Sequence, residues 1–243
     1  MIYHNKKSAF TLAEVLITLG IIGIVAALTI PSMVENHQKK VLANKLEKAY
    51  SELSNVIRYA EAEHGDTKSW NYYDDGELNH WVETYILPYV KYSFAGDCAA
   101  SGCNDKGISG ISQLGKKYNG WTPSSGYLVK LSGGNSIAYL FHRYSGASYP
   151  TETRVYVYIN NPKKTSAMVG KDAFRFYLKS TDKNPSFKPF GYDQTRDTLL
   201  NTQGWGGHCR VDAGGSGYWT PGDACAAVIM QDGWEIKDDY PWY

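Results

Sequence analysis

Residues 10–30 form an uninterrupted apolar run whose one charged side chain is Glu14, and beyond Pro31 the apolar positions become periodic. Val34, Val41, Leu42, Leu46, Ala49, Tyr50, Leu53, Val56, Ile57 and Ala60 recur at three- and four-residue steps, the stripe of an amphipathic helix. Pro31 has no backbone N–H and restricts Ile30, so a kink or break is expected there, while Gly65 supplies a stop. The pattern predicts one long helix in two parts, an apolar 10–30 and an amphipathic 31–65, with a globular head over 66–243. Lys39, Lys40, Lys45, Glu47, Lys48 and Glu52 read as its solvated face.

Residues 66–125 read as an irregular connector, with a short helical pattern around 79–92. Strand patterns follow at 126–131 and 136–143 on either side of Ser132-Gly133-Gly134-Asn135, then at 154–159 with alternating Val and Tyr, and at 173–178 with Phe and Tyr around Arg175. Residues 222–236 read as a further strand, an Asp232-Gly233 turn and a short return, and Asp238, Asp239 and residues 240–243 as a cap on the sheet. Helices and strands in separate blocks make the fold class α+β, with an antiparallel β-sheet head against the long helix.

Composition narrows the function. The formal net charge is +1 and no long Lys/Arg block occurs, so no nucleic-acid partner is expected. The six histidines are scattered without metal-ligand spacing, no nucleophile elbow or phosphate-cradling loop is present, and the reading is not an enzyme. Four cysteines permit three pairings. The local one, Cys98 with Cys103 and Cys209 with Cys225, is preferred, and disulfides are expected rather than a zinc site because the spacing lacks its paired knuckles.

A helix of 21 residues rises about 30 Å, enough to cross the hydrocarbon core. Lys6 and Lys7 ahead of it place the N-terminus on the cytoplasmic side and the head outside. A simple anchor, or a secretory signal cut near Ala26-Ala27, are the plainer readings. Glu14 separates them from a third, since a carboxylate within a spanning helix costs about 2.5–3.5 kcal/mol when central and so calls for a partner or a task.

The run Ser8-Ala9-Phe10-Thr11-Leu12-Ala13-Glu14-Val15-Leu16 resembles the class III signal of type IV prepilins and type II secretion pseudopilins. The resemblance implies a leader of residues 1–9, a cut by a prepilin peptidase between Ala9 and Phe10, N-methylation of Phe10, and an assembly role for Glu14. Pro31 sits where that family often carries a helix-kinking proline. Ala9 stands where Gly is usual and Ala13 where a larger apolar residue is common; alanine is small enough for processing to be expected.

The implied function is a structural subunit, minor rather than major, of a type IV pilus or type II secretion-type filament. Its implied partners are other pilin subunits, an inner-membrane platform protein and an assembly ATPase. The chain would be single-pass in a bacterial inner membrane before joining a pilus or pseudopilus. On this reading Glu14 is an uncompensated cost in an isolated subunit and pairs, in a filament, with the terminal ammonium of a neighbour. The alternative is a helix-anchored extracytoplasmic binding protein, for glycan or another ligand, that never polymerises.

Asn160-Asn161-Pro162 followed by Gly170-Lys171-Asp172-Ala173-Phe174 also resembles a pseudopilin-like pattern, and residues 222–236 resemble the closing segment of such proteins. Some pseudopilins bind calcium in the first of these regions. Here Asp172 and the two asparagines supply few hard ligands, so no cofactor is expected and calcium is the alternative.

Overall fold

The computed structural model describes residues 11–70, 78–98, 111–112, 126–132, 137–143, 152–160, 167–179, 187–201, 207–211 and 221–241. The chain divides into two units, Met1–Val41 and Leu42–Tyr243.

In the first unit, α1 (Leu12–His64) begins as an exposed apolar helix, with Leu12 79%, Leu28 75% and Met33 68% accessible. It is long and apolar enough to cross a membrane. Pro31 lies inside α1 and does not end it. The break expected there is absent. The proline removes one bond, the one that Ala27 O would accept, from a helix of 53 residues, and the turns on either side continue it.

In the second unit, Leu42, Leu46, Ala49, Leu53, Val56, Ile57 and Ala60 recur on one face of α1, and each is buried. They pack on a six-stranded antiparallel sheet. Its strands are β1 (Tyr92–Cys98), β3 (Gly126–Leu131), β4 (Ala138–Arg143), β5 (Glu152–Tyr158), β7 (Ala173–Lys179) and β8 (Phe187–Pro189), adjacent in that order. A parallel pair, β2 (Ile111–Ser112) and β6 (Ala167–Met168), stands apart. Alternation assigns the faces. Val129, Tyr139, Phe141, Val155, Val157, Phe174 and Phe176 join the cluster under α1, while Leu128, Leu140, Tyr156 and Tyr158 form a second buried cluster on the reverse. Register keeps them together, Tyr139 opposite Val157 and Val157 opposite Phe174. The buried Tyr139 hydroxyl donates to Ala49 O at 2.9 Å, tying the middle of the sheet to the helix backbone.

Two sequence expectations change here. The connector carries β1, which pairs with β3 through a register shift between Tyr92 and Phe94. Its exposed and half-exposed residues, with Gly96 and Asp97 among them, hide the alternation that marks the central strands. The closing segment is a helix, not a strand. Helix α4 (Cys225–Gln231) buries Cys225 through Ile229 without alternation, and an Ala-rich run buried on all sides favours helix. Asp232-Gly233 is its C-terminal stop. Gly233 has φ +74°, Trp234 has φ +63°, and the Trp234 N–H donates to Ile229 O at 2.8 Å. The left-handed backbone at Trp234 costs of order 1–3 kcal/mol, and its ring packs 5.3 Å from Tyr50 of α1, which holds it there.

Two short helices complete the head: α2 (Leu78–Tyr85), which seats Trp81 against Phe141, and α3 (Arg196–Asn201). Near the C-terminus Tyr240 is buried and its hydroxyl donates to Gly170 O, while Asp239 pairs with Arg196 at 2.6 Å.

Candidate functional site: the start of the long helix

Thr11 and Glu14 open α1 as a reciprocal cap. The Thr11 N–H donates to Glu14 Oε2 at 2.8 Å and its hydroxyl to the same oxygen at 2.9 Å, while the Glu14 N–H returns a bond to Thr11 Oγ1 at 3.3 Å. This is the capping box, which satisfies N–H groups at the helix start that have no partner within the helix. The signal, Thr-x-x-Glu, is present in the sequence, but Thr11 plays no part in the reading above. The geometry also corrects that reading. Glu14 is not bare in a single subunit, because its carboxylate folds back onto its own helix end, where the dipole also favours a negative charge. A neighbour's ammonium would therefore compete with Thr11 for Glu14.

Ala9 and Phe10, the residues implied for processing and methylation, lie outside the described residues. Around Glu14 the helix surface is aliphatic and exposed, with Leu16 61%, Ile17 63% and Leu19 60% accessible.

Cys209 and Cys225 are joined, and both are fully buried. The bond ties the segment around residue 209 to the first residue of α4, where Gly222 N–H donates to His208 O and Ala224 N–H to Gly207 O, each at 2.8 Å. The staple thus holds a helix rather than the expected strand. Replacing both cysteines by serine is expected to cost about 3 kcal/mol on the chain-entropy scale for a separation of 16 residues. Denaturant unfolding of the two forms checks it, and a loss under about 1 kcal/mol would assign the stability to packing alone. Cys98 is also disulfide-bonded and buried; its expected partner Cys103 lies outside the described residues.

The oxygens considered for calcium are engaged within the protein. Asp172 Oδ2 accepts the Met168 N–H at 3.0 Å and Asn160 Oδ1 accepts from Lys45 Nζ at 3.2 Å. Asn161 lies outside the described residues. Among the described residues no three His, Cys, Asp or Glu side chains come together as a metal-ligand group. Lys45, expected on a solvated face, is half-buried.

Among the described residues one histidine is buried. His208 is 8% accessible and its Nε2 has no hydrogen-bond partner among the described residues. Burial pushes its imidazole below the ordinary range, the Arg210 guanidinium adds to the shift, and backbone hydrogen bonds at Leu199 and Thr198 oppose it. The unfolded chain therefore binds this proton near pH 6.5 while the folded head does not, so stability is full above about pH 6.5 and falls as pH drops below it. Thermal midpoints at about pH 7.5 and pH 5 should differ, and His208→Gln should reduce the difference; an unchanged slope in the variant would place the dependence elsewhere.

A family model described as "Family of unknown function (DUF6613)" matches residues 32–243, and one described as "Prokaryotic N-terminal methylation motif" matches residues 4–30. The second is the prepilin motif of type IV pilins and pseudopilins, so the resemblance read from residues 8–16 stands. No curated protein and no solved structure matches the chain.

Proposed function

From a chain that belongs to the family of unknown function DUF6613 and opens with a pilin-type methylation motif, we propose a structural subunit, of the minor kind, of a type IV pilus or type II secretion-type filament. The pilin-like, membrane-anchored character rests on the motif and the apolar helix. The filament role is the step beyond. The observation that carries it is that α1 is one helix whose described large apolar residues, Leu12 to Val34, are exposed, while the residues from Leu42 to Ala60 form one wall of the head's core.

On this reading a prepilin peptidase cuts between Ala9 and Phe10 and the new terminus is methylated. The apolar part of α1 waits in the inner membrane with the head outside the cytoplasm. A platform protein and a cytoplasmic ATPase then move it into a filament with other subunits. The activity is polymerisation rather than catalysis, and it requires no cofactor.

Mass spectrometry of the protein purified from a host with the pilus machinery tests this. A mature chain starting at N-methylated Phe10 is the expected result. A chain starting at Met1, or cut after Ala27, would overturn it in favour of an anchored or secreted binding protein.

A further inference from the structure

The Asn160 and Asp172 side chains meet a lysine of the long helix in an order that carries chemistry. Lys45 Nζ lies 3.2 Å from Asn160 Oδ1, and the Asn160 carboxamide is hydrogen-bonded to the Asp172 carboxylate. Asp172 is fixed in turn. Its Oδ2 accepts the Met168 N–H at 3.0 Å, and its carbonyl accepts the N–H of Ile159 at 2.9 Å and of Asn160 at 3.2 Å. Asn160 and Asp172 therefore sit on one backbone-braced corner between β5 and β7, and Lys45 reaches it from across 115 residues of chain. All three side chains are half-buried.

An amine beside a carboxamide carbonyl, with a carboxyl group on the carboxamide's far side, is the set of groups an amide exchange needs. We propose that Lys45 and Asn160 become joined by a spontaneous isopeptide bond, with Asp172 as the proton shuttle. The Lys45 ammonium gives a proton to Asn160 Oδ1 and the Asp172 carboxylate takes one from the same carboxamide, so that the amide relays the proton from the amine to the carboxylate. The freed Nζ lone pair attacks Asn160 Cγ, forming the new C–N bond and a tetrahedral oxyanion. As that collapses, the Cγ–Nδ2 bond breaks and protons from Nζ and Asp172 pass to the departing nitrogen. One lysine ammonium and one carboxamide become one secondary amide and one ammonium ion, Asp172 ends as the carboxylate it began as, and no oxidant or other reactant is consumed.

Desolvation, the largest influence on Asp172, moves its carboxyl above the ordinary range, as a group that must hold a proton in transit requires. Lys171 and the hydrogen bonds to Met168 and Asn160 oppose that shift. The product would bind the amphipathic part of α1 covalently to the β5–β7 corner, so that a pull along the helix loads an amide bond instead of apolar packing.

Intact-mass measurement on the reduced, purified full chain, with its N-terminus determined, tests the proposal. The expected reading is one ammonia less than the sequence requires, with a branched peptide joining Lys45 to Asn160 in a proteolytic map. Lys45→Arg and Asn160→Ala should each restore the full mass while circular dichroism shows a folded head, and Asp172→Asn should leave most of the chain uncrosslinked. A wild-type mass without the ammonia loss, or a branch at Lys171 instead of Lys45, overturns the bond. Complete crosslinking in Asp172→Asn overturns the shuttle.

Discussion

Asp223→Ala is expected to destabilise the head by about 3–5 kcal/mol, the cost of leaving a buried charge without its partner. Arg175 points from β7 into the reverse side of the sheet, is 1% accessible, and donates from Nη1 to Asp223 Oδ2 at 2.5 Å. Its guanidinium also lies 5.1 Å from the Tyr177 ring and 5.0 Å from the Phe190 ring. Those rings stabilise a cation by about 0.5–2 kcal/mol, too little to replace an ion pair in a dry site. Because Arg cannot shed its proton, the variant must either keep the buried cation without this carboxylate or open the turn before α4. Denaturant unfolding of the purified head measures the loss. The double variant Arg175→Met/Asp223→Leu should recover most of it, since removing both charges removes the desolvation cost with them. Equal stability of Asp223→Ala and wild type would show that solvent reaches the pair.

Glu14→Ala is expected to leave the protein in the membrane and abolish its incorporation into filaments. Insertion itself becomes easier, because a carboxylate is removed from an apolar helix. What is lost is the group that a neighbouring subunit's terminal ammonium would pair with. The capping box sharpens the expectation, since the same variant also removes the local bond to Thr11, worth about 1 kcal/mol at a helix start. Thr11→Ala is the control that weakens the cap and leaves the carboxylate. If frayed helix ends were the cause, both variants would fail to assemble. If pairing between subunits is the cause, only Glu14→Ala does. Sheared-filament assays beside membrane fractionation separate the two, and filaments of Glu14→Ala at wild-type level would end the pairing reading.

Where one period dominated, the chain stated its structure openly. Strand β3 falls on residues 126–131 as the pattern predicts, and β7 begins at the expected Ala173, because each alternates between two buried faces. The stripe from Leu42 to Ala60 likewise named the face of α1 that enters the core. The elements that escaped are those whose pattern is blurred by position. β1 and β8 are edges, one with a register shift and one three residues long ending in Pro189, which an edge tolerates. α4 escaped because a short, wholly buried apolar run has no period to read, and its Asp-Gly stop serves a helix end as readily as a hairpin.

The candidate site divides in the same way. Glu14 announced itself, since a charge in a 21-residue apolar run has a cost that the sequence alone exposes. Its local partner Thr11 lies three residues away and was legible from spacing. No spacing rule links Lys45 to Asn160, or Arg175 to Asp223, which lie 115 and 48 residues apart. Sequence by itself determined the membrane-competent helix, its motif and the central strands, because periodicity and burial cost act between near neighbours. Tertiary structure alone decided which polar groups meet, because only the closing of the sheet and the docking of α1 and α4 bring distant side chains into one low-dielectric place.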